Sequence, residues 1–497
     1  MNILITNKED RRFSFILFTL SFLLLSYIAY QAPLSADDLE FSRYDFSFSE
    51  KLQFALHYGN GRILGNLFAL ILIHCGIFDA LLRAFLFTSV IFLLPRVLGL
   101  RSRIVYIFSF LLICGMNPRI FAQVYSWMCA FINYIPPIIL TLLILRIYQR
   151  ARSFTKVRYY LAVAAVFLMG TASQLFVEHN TLFQIFLAAL TVVHAWFLKG
   201  GDRRISATWL IATLLGGCIM FAIPKLFYIP DNHTVGYREF MSGGLRGILS
   251  TAIDNFTELY DYLIACHVAL IVLVFCAGIL MYHCKLTRKC KPHLFILALL
   301  FLVSYFCNLG FWDGAFGLLQ KLLLMIRNLY LIILCFYIIF CAANSQQKNK
   351  LLLLGVLFLC ALAPLLVVSP IGERLVFLGY LCFVGGLLIG IEITIQYLSA
   401  DTIKTLFKGI CALSLTLSVL LIGIYTWIGH LENIRLNHLE TQMQTDTNEI
   451  HIFLIPSNYA WGAAELSYER CFYREEWGDI EIIIDPIDQW MAQYGAK

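Results

Sequence analysis

Apolar blocks of roughly twenty residues recur along almost the whole chain, and they constrain the fold more than any other feature of the sequence. Residues 13–32, 321–343 and 375–397 are examples. Apolar residues make up 60% of the chain and charged residues only 14%, whereas about a quarter of the residues in a soluble protein are charged. Because a block of this length spans the hydrocarbon core of a bilayer, the sequence predicts an integral membrane protein.

The blocks are continuous rather than alternating, which favours helices over a β-barrel. The predicted fold class is an all-α polytopic membrane protein with about thirteen transmembrane helices. The predicted spans cover residues 13–32, 63–78, 80–98, 134–150, 159–177, 181–198, 205–223, 263–282, 293–310, 321–343, 351–368, 375–397 and 409–429. Between them, residues 104–133 hold a shorter run broken at Asn117-Pro118, where we expect a re-entrant or half-helix element. A full span there would instead give about fourteen spans and invert the front of the chain.

Basic residues gather in the loops on one side of the predicted spans. The positive-inside rule makes these loops cytoplasmic, so we expect a multi-pass cell-membrane protein with a cytoplasmic N-terminus. The basic residues are Arg146, Arg150, Arg152, Lys156, Arg158, Lys199, Arg203, Arg204, Lys285, Arg288, Lys289, Lys291, Lys348 and Lys350. The net charge of +6 therefore reflects the basic residues of the predicted cytoplasmic loops, and no nucleic-acid partner is expected.

The last part of the chain differs in composition. Residues 430–497 carry twelve acidic residues against four basic ones, which predicts an extracytoplasmic tail. Two strand-like stretches, residues 451–456 and 480–485, indicate a small α+β domain there. Residues 1–429 would form the transmembrane domain, with outer loops at 33–62 and 224–262. Within the first loop, residues 46–58 mix apolar and polar residues at helical spacing, which predicts a helix lying at the membrane interface. Nearly all fifteen cysteines lie in apolar segments, where they act as small packing residues, and we expect neither a metal nor a cofactor.

Paired acids, Asp37 and Asp38, follow the first predicted span directly. Two adjacent carboxylates at a membrane surface suit a general base, because burial and neighbouring charges can tune the pKa of one of them. The alternative is an ordinary solvated loop. Sequence alone does not separate the two residues, and we choose Asp37 narrowly as the base.

Further polar groups lie at predicted outer helix ends. Asn60 and Arg62 lie in a turn-like His57–Arg62 stretch that leads into the second span, and Arg62 offers a planar fork to a phosphate or carboxylate. Glu178 and His179 lie between two apolar spans, where ionisable groups are costly unless they are used or paired. The alternative readings are an ordinary turn with an interfacial arginine, and a polar turn barely reaching water.

An aromatic, proline-broken element lies at membrane depth between residues 125 and 137. Its Trp127 and Tyr134 rings and the Asn133 amide are groups that can hold a sugar ring, although an aromatic belt is the alternative. Arg374, at another outer helix end, can hold a lipid-linked phosphate. Arg327 is the close competitor for that role, and Glu373 could instead pair with Arg374.

These motifs together resemble the GT-C superfamily of membrane glycosyltransferases, and more narrowly a bacterial family of glucosyltransferase-like multi-span proteins. The resemblance runs over most of the chain. It rests on Asp37-Asp38, Asn60-Gly61-Arg62, Trp127, Asn133-Tyr134, Pro136, Glu178, Arg374 and an ending like residues 490–495.

The resemblance implies a polyprenyl-phosphate sugar donor and a cell-surface glycan or lipid as acceptor. Asp37 or Asp38 would take the proton of the acceptor hydroxyl, and Arg62 or Arg374 would stabilise the leaving phosphate. The attack would invert the configuration at the anomeric carbon of the sugar. Two other functions remain open on the sequence: a transporter or flippase of lipid-linked glycan, and a glycan polymerase. A transporter would favour ionisable residues deep within spans, whereas most charges here lie near span ends.

Overall fold

The described part of the protein is mainly helical. The computed structural model describes residues 8–58, 60–198, 200–227, 239–240, 244–308, 317–443, 449–456, 458–460 and 481–494. Its α-helices are α1 (Lys8–Gln31), α2 (Asp37–Ser42), α3 (Phe48–His57), α4 (Ile63–Leu72), α5 (Ile77–Val97), α6 (Arg103–Cys114), α7 (Pro118–Phe121), α8 (Met128–Arg150), α9 (Lys156–Ala172), α10 (Glu178–Trp196), α11 (Arg203–Phe227), α12 (Gly244–Ile264), α13 (His267–His283), α14 (Thr287–Asn308), α15 (Gly317–Ala342), α16 (Ser345–Leu362), α17 (Phe377–Ile395), α18 (Ala400–Met443) and α19 (Ile487–Tyr494).

Short elements join these helices. A π-helix, Ala122–Ser126, follows α7, and 3-10 turns occupy Ala151–Ser153, Ala363–Val367 and Glu373–Val376. Strands β1 (Glu239–Phe240) and β2 (Val368–Ser369) pair antiparallel. Strands β3 (Glu449–Ile452) and β4 (Glu481–Ile484) pair in parallel, with Ile450 opposite Ile482.

The membrane character predicted from the sequence is confirmed. Within the described residues, eight helices are long and apolar enough to cross a membrane, or up to ten if each of two bent helix pairs counts as one span. Among the described residues, fewer helices meet this criterion than the thirteen or so spans predicted from the sequence. Part of the difference lies in α4, whose ten residues give a length of about 15 Å, half the hydrocarbon thickness.

The expected break at Asn117-Pro118 is present. Helix α6 ends at Cys114, and the segment Pro118–Ser126 turns away from it by 87°. The Asn117 side chain caps the new helix by accepting the Arg119 N–H at 2.9 Å, and Pro118 occupies the first turn. This geometry fits a broken span as well as a re-entrant element, so the re-entrant element stays a prediction.

The outer loop predicted at 33–62 contains the expected short amphipathic helix. Helix α3 begins with a capping box in which Ser47 and Glu50 bond each other's main-chain N–H groups. One side of it, through Phe54, packs on Phe41 and Tyr58. Phe48 on another side is exposed, as expected for a helix lying at a membrane interface.

The predicted start of the tail domain, residue 430, lies inside a helix. Helix α18 continues through residue 430 to Met443 without a break, because polar residues that follow an apolar run do not themselves end a helix. Strand β4 lies within the second predicted stretch, whereas β3 overlaps the first one only at residues 451–452. The predicted outer loop 224–262 is largely helical where it is described, since α11 ends at Phe227 and α12 begins at Gly244.

Close helix packing depends on small residues, as is usual when helices associate in lipid. On α11, a Cβ atom added at Gly216 would lie 2.6 Å from the Thr171 carbonyl oxygen of α9. On α9, a Cβ at Gly170 would lie 2.9 Å from the Ala212 Cβ. The main chains of α9 and α11 therefore approach each other more closely than larger side chains would allow.

We expect Gly216→Ala to destabilise the protein by about 1–3 kcal/mol, because the new methyl group meets main chain that cannot move aside. Gly278→Ala is the matched control: this glycine also lies in a helix, α13, but a Cβ there meets nothing within 4 Å. The control gains helix propensity and should be neutral or slightly stabilised. Thermal unfolding of the purified variants measures the difference, and equal melting temperatures would contradict the packing argument.

Candidate active site

The two acids of the Asp37-Asp38 pair have different environments. Asp38 is completely buried and accepts three main-chain hydrogen bonds. Its Oδ1 accepts the Cys129 N–H at 2.8 Å, and its Oδ2 accepts the N–H groups of Met128 and Ser35 at 3.2 Å each. Asp38 thereby satisfies free N–H groups at the start of α8, where the helix dipole also favours a negative charge.

A buried arginine lies behind Asp38. Arg83 of α5 is 5% exposed, pairs with Asp79 at 2.6 Å, and donates to the carbonyl oxygens of Ser126 and Ala29 at 3.0 and 3.1 Å. Burial raises the pKa of Asp38 to about 6, while the Cys129 hydrogen bonds and the Arg83 charge oppose that rise. Asp38 therefore stays largely ionised at neutral pH, in a purely internal position.

Asp37 points elsewhere, since successive residues of a helix are rotated by about 100°. Its side chain is half-buried, so it keeps contact with solvent. Burial raises the pKa of Asp37, and the charges of Arg374 and then Arg62 act in the opposite direction. Of the pair, Asp37 is thus the acid that lies among the predicted arginines.

The backbone just before Asp37 is strained. Ala36 has φ 48° and ψ −118°, a conformation that residues with a side chain rarely adopt. Such a residue typically costs about 1–3 kcal/mol and persists where surrounding contacts hold it. Here the Asp38 hydrogen bonds to Ser35 on one side and to α8 on the other fix the turn that orients Asp37.

Arg62 forms an ion pair with Glu178. Two parallel hydrogen bonds, Nε to Oε1 at 2.9 Å and Nη2 to Oε2 at 3.0 Å, join the starts of α4 and α10. Both side chains remain partly exposed, at 22% and 30%. Asn60 supports the pair because its Oδ1 accepts hydrogen bonds from the Arg62 main-chain N–H at 2.9 Å and from the Asn66 side-chain amide at 3.0 Å. Asn60 therefore shapes the turn before α4.

The turn containing Arg62 also needs glycine. Gly61 has φ 74°, and a Cβ there would lie 2.2 Å from the Met220 carbonyl oxygen of α11. Only glycine combines that backbone conformation with that approach. The Asn-Gly-Arg sequence thus specifies a tight turn packed on α11.

The predicted sugar-binding residues divide into two groups. Asn133 donates its amide to the Cys129 carbonyl at 2.7 Å, and its Oδ1 lies over Gly65, so it packs α8 against α4. The ring of Tyr134 lies 5.4 Å from the buried ring of His179, and Tyr134 interacts electrostatically with Arg62. Tyr134 and His179 therefore border the Arg62–Glu178 pair.

Arg374 is held by an aromatic ring and an amide. Its guanidinium lies 4.7 Å from the centre of the Trp127 ring, a cation–π geometry. Its main-chain N–H and its Nη1 both donate to Gln123 Oε1, at 3.2 and 3.3 Å. Gln123 is fully buried in the π-helix and donates its own amide to Glu373.

Gln123 and Glu373 extend the site beyond what the sequence predicted. Glu373 was considered only as a partner for Arg374, whereas its described contacts are with Gln123 and, at 3.9 Å, with Arg119. Gln123 was not singled out. The available signal was its position, a polar residue inside the one element expected to be irregular, because π-helices often lie at functional sites.

The competing arginine lies in a different setting. Arg327 of α15 stacks at 4.5 Å on Phe301 and donates to Asn328 at 3.2 Å. Asn328 in turn donates to the Tyr260 hydroxyl at 2.7 Å. These contacts place Arg327 with α12 and α14, whereas Arg374 acts on Asp37.

Metal chemistry has no candidate ligand set in the described ranges. No group of three or more His, Cys, Asp or Glu side chains there is arranged to hold a metal ion. The side chains that the described site brings together are one half-buried carboxylate, two arginines, a second carboxylate and aromatic rings.

Comparison of the chain with protein-family models, with curated proteins and with solved structures finds no match.

We expect substitutions of Asp37 and Asp38 to differ in their effect on the free energy of unfolding. Asp38→Ala leaves three buried N–H groups without their acceptor and should cost about 1–3 kcal/mol of stability. Asp37→Ala removes a half-buried side chain and should stay within about 0.5 kcal/mol of wild type. Thermal unfolding of both variants in one detergent measures the difference, and a larger loss in the Asp37 variant would contradict these assignments.

Proposed function

We propose that this chain is an inverting membrane glycosyltransferase that transfers a sugar from a polyprenyl-phosphate donor to a cell-surface glycan or lipid. The observation that supports this best is the setting of Asp37: a half-buried carboxylate on which two arginines from distant parts of the chain, Arg374 and Arg62, both act. A base beside cations is what attack on a sugar with a phosphate leaving group requires.

In the proposed reaction, an acceptor hydroxyl attacks the anomeric carbon of the donor sugar. Asp37 takes the hydroxyl proton while the new carbon–oxygen bond forms. The bond between the anomeric carbon and the phosphate oxygen breaks, and its electron pair leaves with the polyprenyl phosphate. Attack opposite the leaving group inverts the configuration at the sugar.

The leaving phosphate is assigned to Arg374. Of the two arginines, Arg374 has the stronger effect on Asp37, and Arg62 already makes two hydrogen bonds to Glu178. A guanidinium fork suits a phosphate, and stacking on Trp127 fixes its plane. Since an arginine can stabilise a monophosphate leaving group, the proposed step calls for no further co-reactant.

The Arg62–Glu178 pair is assigned to the sugar or the acceptor. Both partners are partly exposed, and a carboxylate oxygen can accept a hydrogen bond from a sugar hydroxyl without losing its arginine. The Tyr134 and His179 rings beside the pair are buried, so they support the pair from within the bundle and leave its partly exposed edge to the ligand.

The proposed topology follows the sequence prediction. We propose that the N-terminus is cytoplasmic, that the site and the acidic tail lie on the outer face, and that the tail strands belong to a small α+β domain. About thirteen spans remain the proposed number. The positive-inside distribution of basic residues supports this arrangement.

We expect Asp37→Asn to lower the rate of sugar transfer by about 10²- to 10⁴-fold, the usual contribution of a general base. Asp45→Asn is the matched control, because this exposed acid lies in the same segment and should leave transfer unchanged. The assay uses the purified full chain with polyprenyl-phosphate sugar and membrane glycan. Full transfer by Asp37→Asn would refute the proposed base. Accumulation of unaltered lipid-linked glycan in sealed vesicles would favour a transporter, and joining of multi-sugar repeats would favour a polymerase.

The pH profile of transfer should report the pKa of Asp37. Transfer requires ionised Asp37, so kcat/KM falls as pH drops through that pKa, which burial places above the ordinary aspartate value of about 3.9. The Arg374 charge lowers this pKa, so in Arg374→Gln the acidic limb should move to higher pH, on top of a lower maximum. A limb that stays in place or moves to lower pH would contradict the electrostatic argument.

A further inference from the structure

The tail contacts the segment that holds Arg374. Residues 453–456 and 458–460, here called the tail segment, follow β3 and return to the bundle. Ile455 and Ala460 are each 1% exposed and belong to the same apolar core as the transmembrane helices. The Tyr459 carbonyl accepts the Tyr425 hydroxyl of α18 at 3.1 Å. The tail segment is therefore packed into the bundle.

The contact is made at the bend, defined as α7 and the π-helix (Pro118–Phe121 and Ala122–Ser126). The Arg119 Nε of the bend donates to Asn458 Oδ1 at 2.9 Å. The Tyr425 hydroxyl lies 2.6 Å from Ser126 Oγ, so the far end of the bend is linked to Tyr459 as well. Both ends of the bend thus contact the tail segment directly or through one side chain.

The same bend leads to the candidate site by polar contacts. Arg119 Nη1 lies 3.9 Å from Glu373 Oε1, and Gln123 donates to the other oxygen of Glu373. Gln123 Oε1 accepts both the N–H and the Nη1 of Arg374. A continuous series of side chains therefore runs from Asn458 through Arg119, Glu373 and Gln123 to Arg374.

We propose that the tail segment completes the site: Asn458, acting through Arg119 and Glu373, and Gln123 are positioning residues for Arg374. Gln123 is suited to this because it is fully buried and its single oxygen orients both the backbone and the guanidinium of Arg374. The side chain of Arg119 is 57% exposed, so its ion pair with Glu373 is weak by itself. Its second bond, to Asn458, makes its position depend on the tail. The inference rests on the proposed function for what Arg374 binds, and on geometry alone for how Arg374 is held.

Two readouts on the full chain test this. The first is amide hydrogen exchange of the peptide covering residues 370–376, because the Arg374 N–H donates to Gln123 Oε1 and its exchange reports that contact. The second is kcat/KM for the polyprenyl-phosphate donor. The variants are Asn458→Ala, its conservative partner Asn458→Asp, and Gln123→Ala. Gln493→Ala is the control, an exposed tail residue whose described bond goes only to Tyr494.

We expect Asn458→Ala and Gln123→Ala to speed exchange in 370–376 and to lower kcat/KM by about three- to thirty-fold, the range usual for coupling through side-chain networks. Asn458→Asp, whose carboxylate still accepts from Arg119, should restore both readouts, and Gln493→Ala should change neither. A lower kcat/KM in Asn458→Ala with the exchange of 370–376 unchanged would overturn the inference, since the tail would then act by another route.

The two proposals fail in different ways. Faster exchange in a protein whose wild type transfers no sugar would sink the proposed function and leave the positioning role intact. Normal transfer and normal exchange in Asn458→Ala and Gln123→Ala would overturn the positioning role while the glycosyltransferase proposal stands.

Discussion

The candidate site depends on one buried carboxylate that performs no chemistry in the proposed reaction. Asp38 accepts the first N–H groups of α8 and an N–H from its own turn, and so holds α2 against the start of α8. Burying a charge is costly unless donors surround it, and here the donors are helix-end amides with Arg83 behind them. Because Asp38 is fixed inward, the neighbouring Asp37 is oriented toward the arginines.

Around that junction, each cation is held in a different way. Arg62 is matched by a carboxylate through two hydrogen bonds, which makes it part of a stable frame between α4 and α10. Arg374 is oriented by the Trp127 ring and by the Gln123 amide oxygen. The charges of both arginines act on the half-buried carboxylate of Asp37, and these described contacts fix where the two guanidinium groups lie.

Much of the fold was predictable because its signals are local. Twenty-residue apolar blocks, the proline break after Asn117, the amphipathic pattern of α3 and both tail strands are each encoded within about thirty residues, and all are present. The shortness of α4 was missed because the apolar run from Ile63 extends beyond Leu72, whereas the helix ends before His74 and Gly76. The length of α18 was missed because hydropathy marks where lipid contact ends and not where a helix ends.

The site was predictable only in part, for a physical reason. The sequence singled out ionisable residues at helix ends, since such groups are costly there and therefore conspicuous. It did not distinguish Asp37 from Asp38, because the distinction comes from α8, which begins ninety residues later. Asn60 and Asn133 were predicted as ligands, and their described bonds are to main-chain and side-chain groups that shape α4 and α8. Gln123 gave only the signal of a polar residue in an irregular element, since its contacts form only where the bend meets Glu373 and Arg374.

The apolar cluster of the tail has a consequence for dividing this protein into pieces. That cluster consists of Phe453 and Trp490 packed on Leu431, which belongs to α18. A fragment that begins after Met443 would contain β3 and β4 but would lack Leu431, on which Phe453 and Trp490 pack. A fragment that retains this apolar cluster must therefore include the end of α18 from Leu431 onward. A cut that separates the tail from the transmembrane helices and keeps the cluster intact has to pass through α18 itself.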